Sequence, residues 1–211
     1  MKIELKQNTK EWYQHRTKYI NASEVASITG DNPFKSQDTL IHDKIFGSPF
    51  ITNEYVKHGT ATEPLARNFF EKAIKKTYEP VNFVDDQDQI FSASLDGYNE
   101  STNTLLEIKC PYTSPDGSIS SSWETFFITN NVPMYYWCQV QCQLYCSKAK
   151  YAYFLVYFND QKNFVKRIMP DPNYHQKMVQ AGKQYLELLE KTKQAVIDNP
   201  LIKRISLFKN F

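Results

Sequence analysis

The chain contains no apolar run approaching ~20 residues, the length a membrane-crossing helix needs, so no transmembrane helix is expected. Its opening residues, Met1-Lys2-Ile3-Glu4-Leu5-Lys6, are charged throughout and do not read as a secretory signal. The expectation is an intracellular, cytoplasmic protein. An excess of one charge is also missing: 25 Lys and Arg stand against 23 Asp and Glu, a formal net charge of +2. The overall field therefore does not announce a nucleic-acid partner, and any phosphate binding must rest on basic residues gathered locally. Lys166-Arg167 and the terminal Lys203, Arg204 and Lys209 are mildly basic, but each fits a solvated face. Repeats and low-complexity linkers are absent and no domain boundary is evident, so residues 1–211 are read as one domain. The four histidines show no metal-ligand spacing. Four cysteines fit free thiols. Cys138, Cys142 and Cys146 recur every four residues on one predicted helix and span ~12 Å, too spread for a single iron–sulfur cluster. Buried small thiols are the better reading. Cys110, beside Pro111 and without a paired histidine, is a poor nucleophile candidate.

What is present is an ordinary globular composition, 41% apolar and 23% charged over 211 residues, enough for a sizeable core. Fourteen Tyr, fourteen Phe and three Trp are many aromatics. Most belong in a core; some can stack on bases or wedge between them, and composition does not separate the two uses. The first ~75 residues read as mostly helical. Trp12, His15, Arg16 and Tyr19 have helical spacing, Ser23 is placed to cap a short helix, and Gly30-Asp31-Asn32-Pro33 reads as a stop and turn. Ala66, Phe69, Phe70, Ala73 and Ile74 form one apolar helical face. Its helix opens near Glu63 with Pro64 in the first turn, or near Asn53 with Pro64 bending it. The period then changes to two. Residues 81–84, 90–95 and 104–108 read as strands of a meander, with Gly97-Tyr98-Asn99 turn-like. A helix over 134–145, strands over 151–158 and 164–168, and a long helix over 174–197 follow. This order predicts an α/β fold, a mixed sheet flanked by helices with a helical N-terminal region.

The sharpest constellation is Leu95-Asp96-Gly97 followed by Leu105-Leu106-Glu107-Ile108-Lys109. Residues two apart on a strand share a face, so Glu107 and Lys109 point the same way. Pairing of the two strands brings Asp96 close to Glu107. Adjacent carboxylates ionise together most readily with a cation between them. Mg²⁺ suits two carboxylates and a backbone carbonyl, and the Ile108 carbonyl is the candidate third ligand. Lys109 is placed to orient or help deprotonate a water and to balance charge on a phosphate. The bland alternative is an exposed cross-strand charge pair beside an Asp-Gly turn. Against it stand Leu105, Leu106 and Ile108, which mark a central strand where unpaired charge is costly. Tyr136, Gln139 and Gln143 form a stripe on the 134–145 helix that faces either a phosphate site or solvent. Arg16 and Ser23 flank a short helix start, which is a phosphate site or merely a surface arginine and an N-cap.

Taken together these pieces resemble the lambda exonuclease, or YqaJ-type viral recombinase, branch of the PD-(D/E)XK nucleases. The resemblance runs from Trp12 to about Phe158. It includes Trp12 with Arg16, Asn21-Ala22-Ser23-Glu24-Val25, His58-Gly59 with Glu63, and Ser94-Leu95-Asp96-Gly97. It continues through Leu106-Glu107-Ile108-Lys109-Cys110-Pro111-Tyr112-Thr113-Ser114 and Tyr136 with Gln139-Val140-Gln141. Leu95 stands where the family carries proline, and residues from Asp171 on match only as a helix. The resemblance implies a PD-(D/E)XK core and a Mg²⁺-dependent enzyme, with Mn²⁺ a possible substitute. Such an enzyme degrades one strand of linear duplex DNA from a 5′ end and leaves 3′ tails for recombination. It further implies a ring-shaped homotrimer, a single-strand annealing protein as partner, and a phage or viral origin. Carried over, Asp96, Glu107 and the Ile108 carbonyl would hold metal, Glu63 would be a further acidic ligand, Lys109 would be catalytic and Gln139 would support the site. Arg16 and Ser23 would hold the 5′-phosphate. The competing readings are an endonuclease of the same fold, a non-enzymatic DNA-binding protein, and a structural domain whose charged strand is incidental.

Overall fold

The computed structural model describes residues 1–47 and 53–199; the terminal basic residues Lys203, Arg204 and Lys209 lie outside them. A seven-residue helix α1 (Lys10–Arg16), capped by the Thr9 side chain, opens the chain after a short strand β1 (Lys2–Ile3). Tyr19 lies beyond this helix and meets His15 ring to ring at 4.7 Å. Strand β2 (Ile20–Asn21) leads into a 3-10 turn (Ala22–Glu24) and helix α2 (Val25–Thr29), which ends on Gly30 in the left-handed region, as the stop signal predicted. Ser23 is not the cap expected from sequence. Asn21 occupies that position, and the Glu24 carboxylate returns to the Asn21 N–H at 2.9 Å. Helices α3 (Gln37–Phe46) and α4 (Glu54–Ile74) follow. Helix α4 starts at the Asn53 cap and carries Pro64 inside it, the longer of the two expected forms.

Strands β3 (Glu79–Val84), β4 (Phe91–Asn99) and β5 (Thr104–Lys109) form the meander. Helix α5 (Ser121–Thr129), which sequence periodicity did not identify, and α6 (Met134–Ser147) come next. Strands β6 (Ala152–Tyr157) and β7 (Asn163–Ile168) and the long helix α7 (Pro172–Asp198) complete the described chain. No helix among the described residues is long and apolar enough to cross a membrane.

The sheet runs β1-β3-β4-β5-β6-β7, and β2 pairs with β4. The β2–β4 and β5–β6 pairs are parallel and the others antiparallel, which makes the expected mixed sheet. Two features of β4 interrupt the regularity of the sheet. First, β5 pairs only with its last part, Gly97 to Asn99, whereas β2 pairs with its start, Phe91 and Ser92. Ser94 to Asp96 therefore have β3 on one side and a gap between β2 and β5 on the other. Second, β4 bulges. Leu95 faces Val81 and Tyr98 faces Glu79, so one extra residue is fitted in at Asp96-Gly97. Phe91, Ala93 and Leu95 share the large core, and Tyr98 packs on the same cluster although it lies three residues further on. A bulge re-aims side chains and bends the strand.

Gly97 is thus within a strand, not in a turn. A Cβ there would stand 2.6 Å from the Tyr78 Cβ, so the glycine is needed for close packing. The loop joining β3 to β4 closes around Asp85, whose buried carboxylate accepts from the N–H groups of Gln87, Asp88, Gln89, Ile90 and Phe91 at 2.7–3.3 Å. That cluster of bonds fixes where β4 begins.

Two apolar clusters cover the sheet. The larger gathers Leu105, Phe154 and Val156 with α2, α6 and α7; the smaller packs Leu106, Ile108 and Leu155 against Ala66 and Phe70 of α4. Helix α6 is buried nearly all round, which accounts for its apolar composition and for Cys138, Cys142 and Cys146 as buried free thiols. Alternation along β5 sends Leu106 and Ile108 to the α4 side and Leu105 and Glu107 to the α6 side.

Candidate active site

The gap in the sheet opens into a cleft of about 230 Å³. Among its lining residues are Arg16, Ser23, Glu63, Asp96, Glu107, Ile108, Lys109 and Gln139. All eight residues to which the family resemblance gave a role line it. They come from α1, the turn after β2, α4, β4, β5 and α6, so the convergence is a product of the fold and not of sequence proximity.

Where β4 and β5 part, the Asp96 carboxylate takes over from the backbone ladder and accepts the Ile108 N–H at 2.7 Å. A strand residue points its N–H and C=O to the same edge, so the Ile108 carbonyl also faces the Asp96 side. Glu107 is almost wholly buried, an expensive place for a carboxylate without partners. Its partners are three. Gln139 Nε2 donates to Oε1 at 2.7 Å, Lys109 Nζ donates to the same oxygen, and Gln143 Nε2 donates to Oε2 at 2.6 Å. Gln143 also donates to the Ser94 carbonyl at 3.0 Å, which ties β4 to α6 across the gap. The Tyr136–Gln139–Gln143 stripe therefore faces the site and not solvent. Gln143 is itself fully buried, and its Oε1 has no partner.

Burial pushes the Asp96 carboxyl well above the ordinary carboxylate range, and the charges of Glu107 and Glu63 push it the same way. Lys109 and the Ile108 N–H offset only part of this. Burial also raises Glu63, against the pull of Arg67. Burial by itself would depress the Lys109 ammonium, but Glu107, Tyr136 and Asp96 outweigh it and hold Lys109 above the usual lysine value. Its Nζ lies 4.7 Å from the Tyr136 ring centroid. Glu63 differs from the other acids. It is ion-paired with Arg67, whose Nε donates to the Asp96 carbonyl at 2.7 Å. Sequence reading missed Arg67, although its position four residues after Glu63 on the same helix was an available signal.

At the other end of the cleft Arg16 Nη2 donates to Ser23 Oγ at 3.2 Å, and the guanidinium lies 4.5 Å from the Trp12 ring centroid. Trp12 is fixed in turn by Nε1 donating to Ser94 Oγ at 2.9 Å and to Asn82 Oδ1 at 3.1 Å. Because Asn21 holds the cap position, the exposed Ser23 hydroxyl is not spent on closing its own helix. The guanidinium and the hydroxyl proton thus present hydrogen-bond donors side by side at this end of the cleft.

Residues 11–150, about two-thirds of the chain, match the YqaJ-like viral recombinase domain. Among solved structures, an alkaline exonuclease from Laribacter hongkongensis is similar at TM-score 0.74 and 24% identity, over 89% of this chain and 96% of that one. The same enzyme in complex with dAMP gives TM-score 0.75 and 25% identity over the same shares. A phage-related exonuclease from Haemophilus somnus gives TM-score 0.57 and 15% identity over 82% of this chain and 96% of the other, a likeness of fold alone. The fold is thus the expected PD-(D/E)XK type, a central mixed sheet flanked by helices. An uncharacterized protein of Acanthamoeba polyphaga mimivirus is 27% identical over 183 residues, 81% of this chain. The chain spans only 32% of that relative's length.

Proposed function

The chain belongs to the YqaJ-like viral recombinase domain family, and from that premise we propose that it is a DNA exonuclease that works 5′ to 3′ on linear duplex DNA with Mg²⁺. It leaves 3′ single-stranded tails for recombination. The observation that carries this reading is the meeting of an acidic, lysine-bearing centre with an arginine–serine pair in one cleft. The likeness to an alkaline exonuclease supports the nuclease class. Polarity rests on the Arg16–Ser23 pair as a holder of the terminal 5′-phosphate.

The donor set fits a hard divalent cation. Asp96, Glu107 and the Ile108 carbonyl are all oxygen donors, and the Asp96 carboxyl, raised first by burial, is raised further by the Glu107 and Glu63 charges gathered beside it. Among the described residues no three His, Cys, Asp or Glu side chains form a ready metal cluster. The ligands would accordingly be two carboxylates and a carbonyl, with Glu63 joining only by loosening its pair with Arg67. Mn²⁺ satisfies the same donors. When bound, the ion supplies Lewis-acid polarisation of the phosphate and a more acidic water. The protein's own residues do the rest. Gln139, Gln143 and Lys109 fix the orientation of Glu107, and the Ile108 N–H fixes Asp96. Lys109, which donates to Glu107, is placed to act by charge and as a hydrogen-bond donor toward the phosphate.

The cytoplasmic location, a homotrimeric ring and a single-strand annealing partner belong to the same proposal. The mimivirus relative fits a viral origin. The test is digestion of linear and covalently closed circular duplexes with Mg²⁺, with 5′ and 3′ ends labelled separately. Early release of the 5′ label from the linear form alone is expected. Cutting of the circle would instead make the protein an endonuclease, and no hydrolysis of either would overturn the reading.

A further inference from the structure

Lys109 lines a second cavity as well, of about 380 Å³, whose lining includes neither Arg16 nor Ser23. Its walls carry aromatic rings drawn from five separate parts of the chain, among them Trp123 of α5, which stacks on Tyr136. Phe34 precedes α3, Tyr55 is in the first turn of α4, Tyr112 follows β5 and Tyr135 is on α6. They touch in two pairs, Phe34 with Tyr135 at 5.4 Å and Tyr55 with Tyr112 at 5.3 Å between centroids, both edge to face. Phe34 is 73% exposed and Tyr55 is 60% exposed. Core packing does not explain rings left this open, and an exposed apolar patch around a concavity marks a binding surface.

The position of the cavity selects its occupant. A phosphate placed at Lys109 is bonded to a nucleoside on either side. One of these lies toward Arg16 and Ser23. The other must leave the catalytic cleft past Lys109, where the rings begin. Aromatic faces hold single-stranded bases without regard to sequence, because every base offers a π-face. We propose that this cavity receives the unstacked base of the nucleotide on the 3′ side of the scissile phosphate, the second nucleotide of the resected strand. The inference rests on the 5′-directed exonuclease reading and adds a base-stacking subsite to it.

The experiment measures release of the first nucleotide from 5′-phosphorylated linear duplexes. One substrate carries an abasic residue at the second nucleotide of the resected strand. Its control carries the abasic residue directly opposite, so that base pairing is lost equally in both. With the wild-type protein the first substrate is expected to show a KM roughly tenfold above its control, in keeping with the loss of one base–aromatic stack. In the Phe34→Ala/Tyr55→Ala double variant the two substrates should converge. Both rings are exposed, so the variant is expected to fold, and circular dichroism checks this. If it does not fold, the wild-type comparison decides alone. Equal KM values for the two substrates with wild type would overturn the subsite and leave the rings as a surface for another protein. A full penalty retained in the folded double variant would also overturn it. No release from any linear duplex would instead sink the exonuclease reading itself.

Discussion

Gln143→Met isolates what the buried amide does for Glu107. Methionine has nearly the length and volume of glutamine, so α6 keeps its packing against the sheet. Two hydrogen bonds are lost, 2.6 Å to the Glu107 carboxylate and 3.0 Å to the Ser94 carbonyl. A bond to a charged group contributes about 1.5–3 kcal/mol. Against this, the variant removes Gln143 Oε1, a buried acceptor without a partner, which relieves about 1–3 kcal/mol. The Ser94 bond adds about 0.5–1.5 kcal/mol to the loss, so the losses exceed the relief and the variant should be less stable than wild type by about 1–3 kcal/mol. The site changes more. Glu107 keeps Gln139 and Lys109 on Oε1 but loses the donor on Oε2, so one half of the carboxylate is no longer aimed. Removing a group that orients a metal ligand costs roughly 10–100-fold in metal affinity or activity. The assay is nucleotide release from linear duplex as Mg²⁺ is titrated, with urea unfolding run in parallel. The Mg²⁺ midpoint should move upward and excess Mg²⁺ should restore part of the rate. A folded variant with the wild-type midpoint and rate would refute the idea that Gln143 positions Glu107.

Arg16→Ala should erase the preference for a 5′-phosphate over a 5′-hydroxyl end while residual release from both persists; a ratio of initial rates still at the wild-type value would remove Arg16 from that role. Asp85→Asn keeps the size of the side chain but sets an NH₂ against backbone donors and removes the charge that five N–H groups share. It should lower stability by about 3–5 kcal/mol, read as a drop in the urea midpoint, and a change under about 1 kcal/mol would show that the loop re-forms without the carboxylate. His175 is held below the ordinary histidine pKa by burial, and its Nε2 has no partner. A depressed folded-state pKa gives stability that is present above about pH 6.5 and is lost as pH falls through the folded value. The urea midpoint should therefore decline as the pH falls below about 6.5, and His175→Gln should flatten that decline; parallel curves would exclude His175 as the cause.

The centre of the site was legible because strand periodicity is strict. Glu107 and Lys109, two apart, had to share a face whichever way the sheet was assembled. Other residues were legible only as pairs of possibilities. Gln139 and Gln143 lie on one stripe of α6, and nothing in a row of amides says whether it meets solvent or a buried carboxylate. Their direction depends on where α6 settles over the sheet, within reach of Glu107 on β5, a meeting of residues far apart in the chain. Ser23 was misassigned as a cap because capping residues are recognised by type, and Asn21 two positions earlier is of the same type and takes the place.

Gly97 shows the deeper difficulty. A glycine between two strand-like runs reads as a turn because its backbone freedom is what the sequence advertises. Here the requirement is space, since a side chain would collide with Tyr78 at the approach to β3. With room made at Gly97, β4 can take in an extra residue opposite β3. The bulge bends the strand where β5 departs, and β2 fills only the start of the vacated edge. The gap that remains is the cleft. Asp96 is at its rim because it belongs to the bulge, and Arg16 and Ser23 are at its rim because β2 carries the chain there. One close contact between a glycine and a tyrosine thus helps to bring the acidic centre and the arginine–serine pair into the same cavity. A larger residue at position 97 should therefore displace the neighbouring Asp96 and separate the acidic centre from the arginine–serine pair.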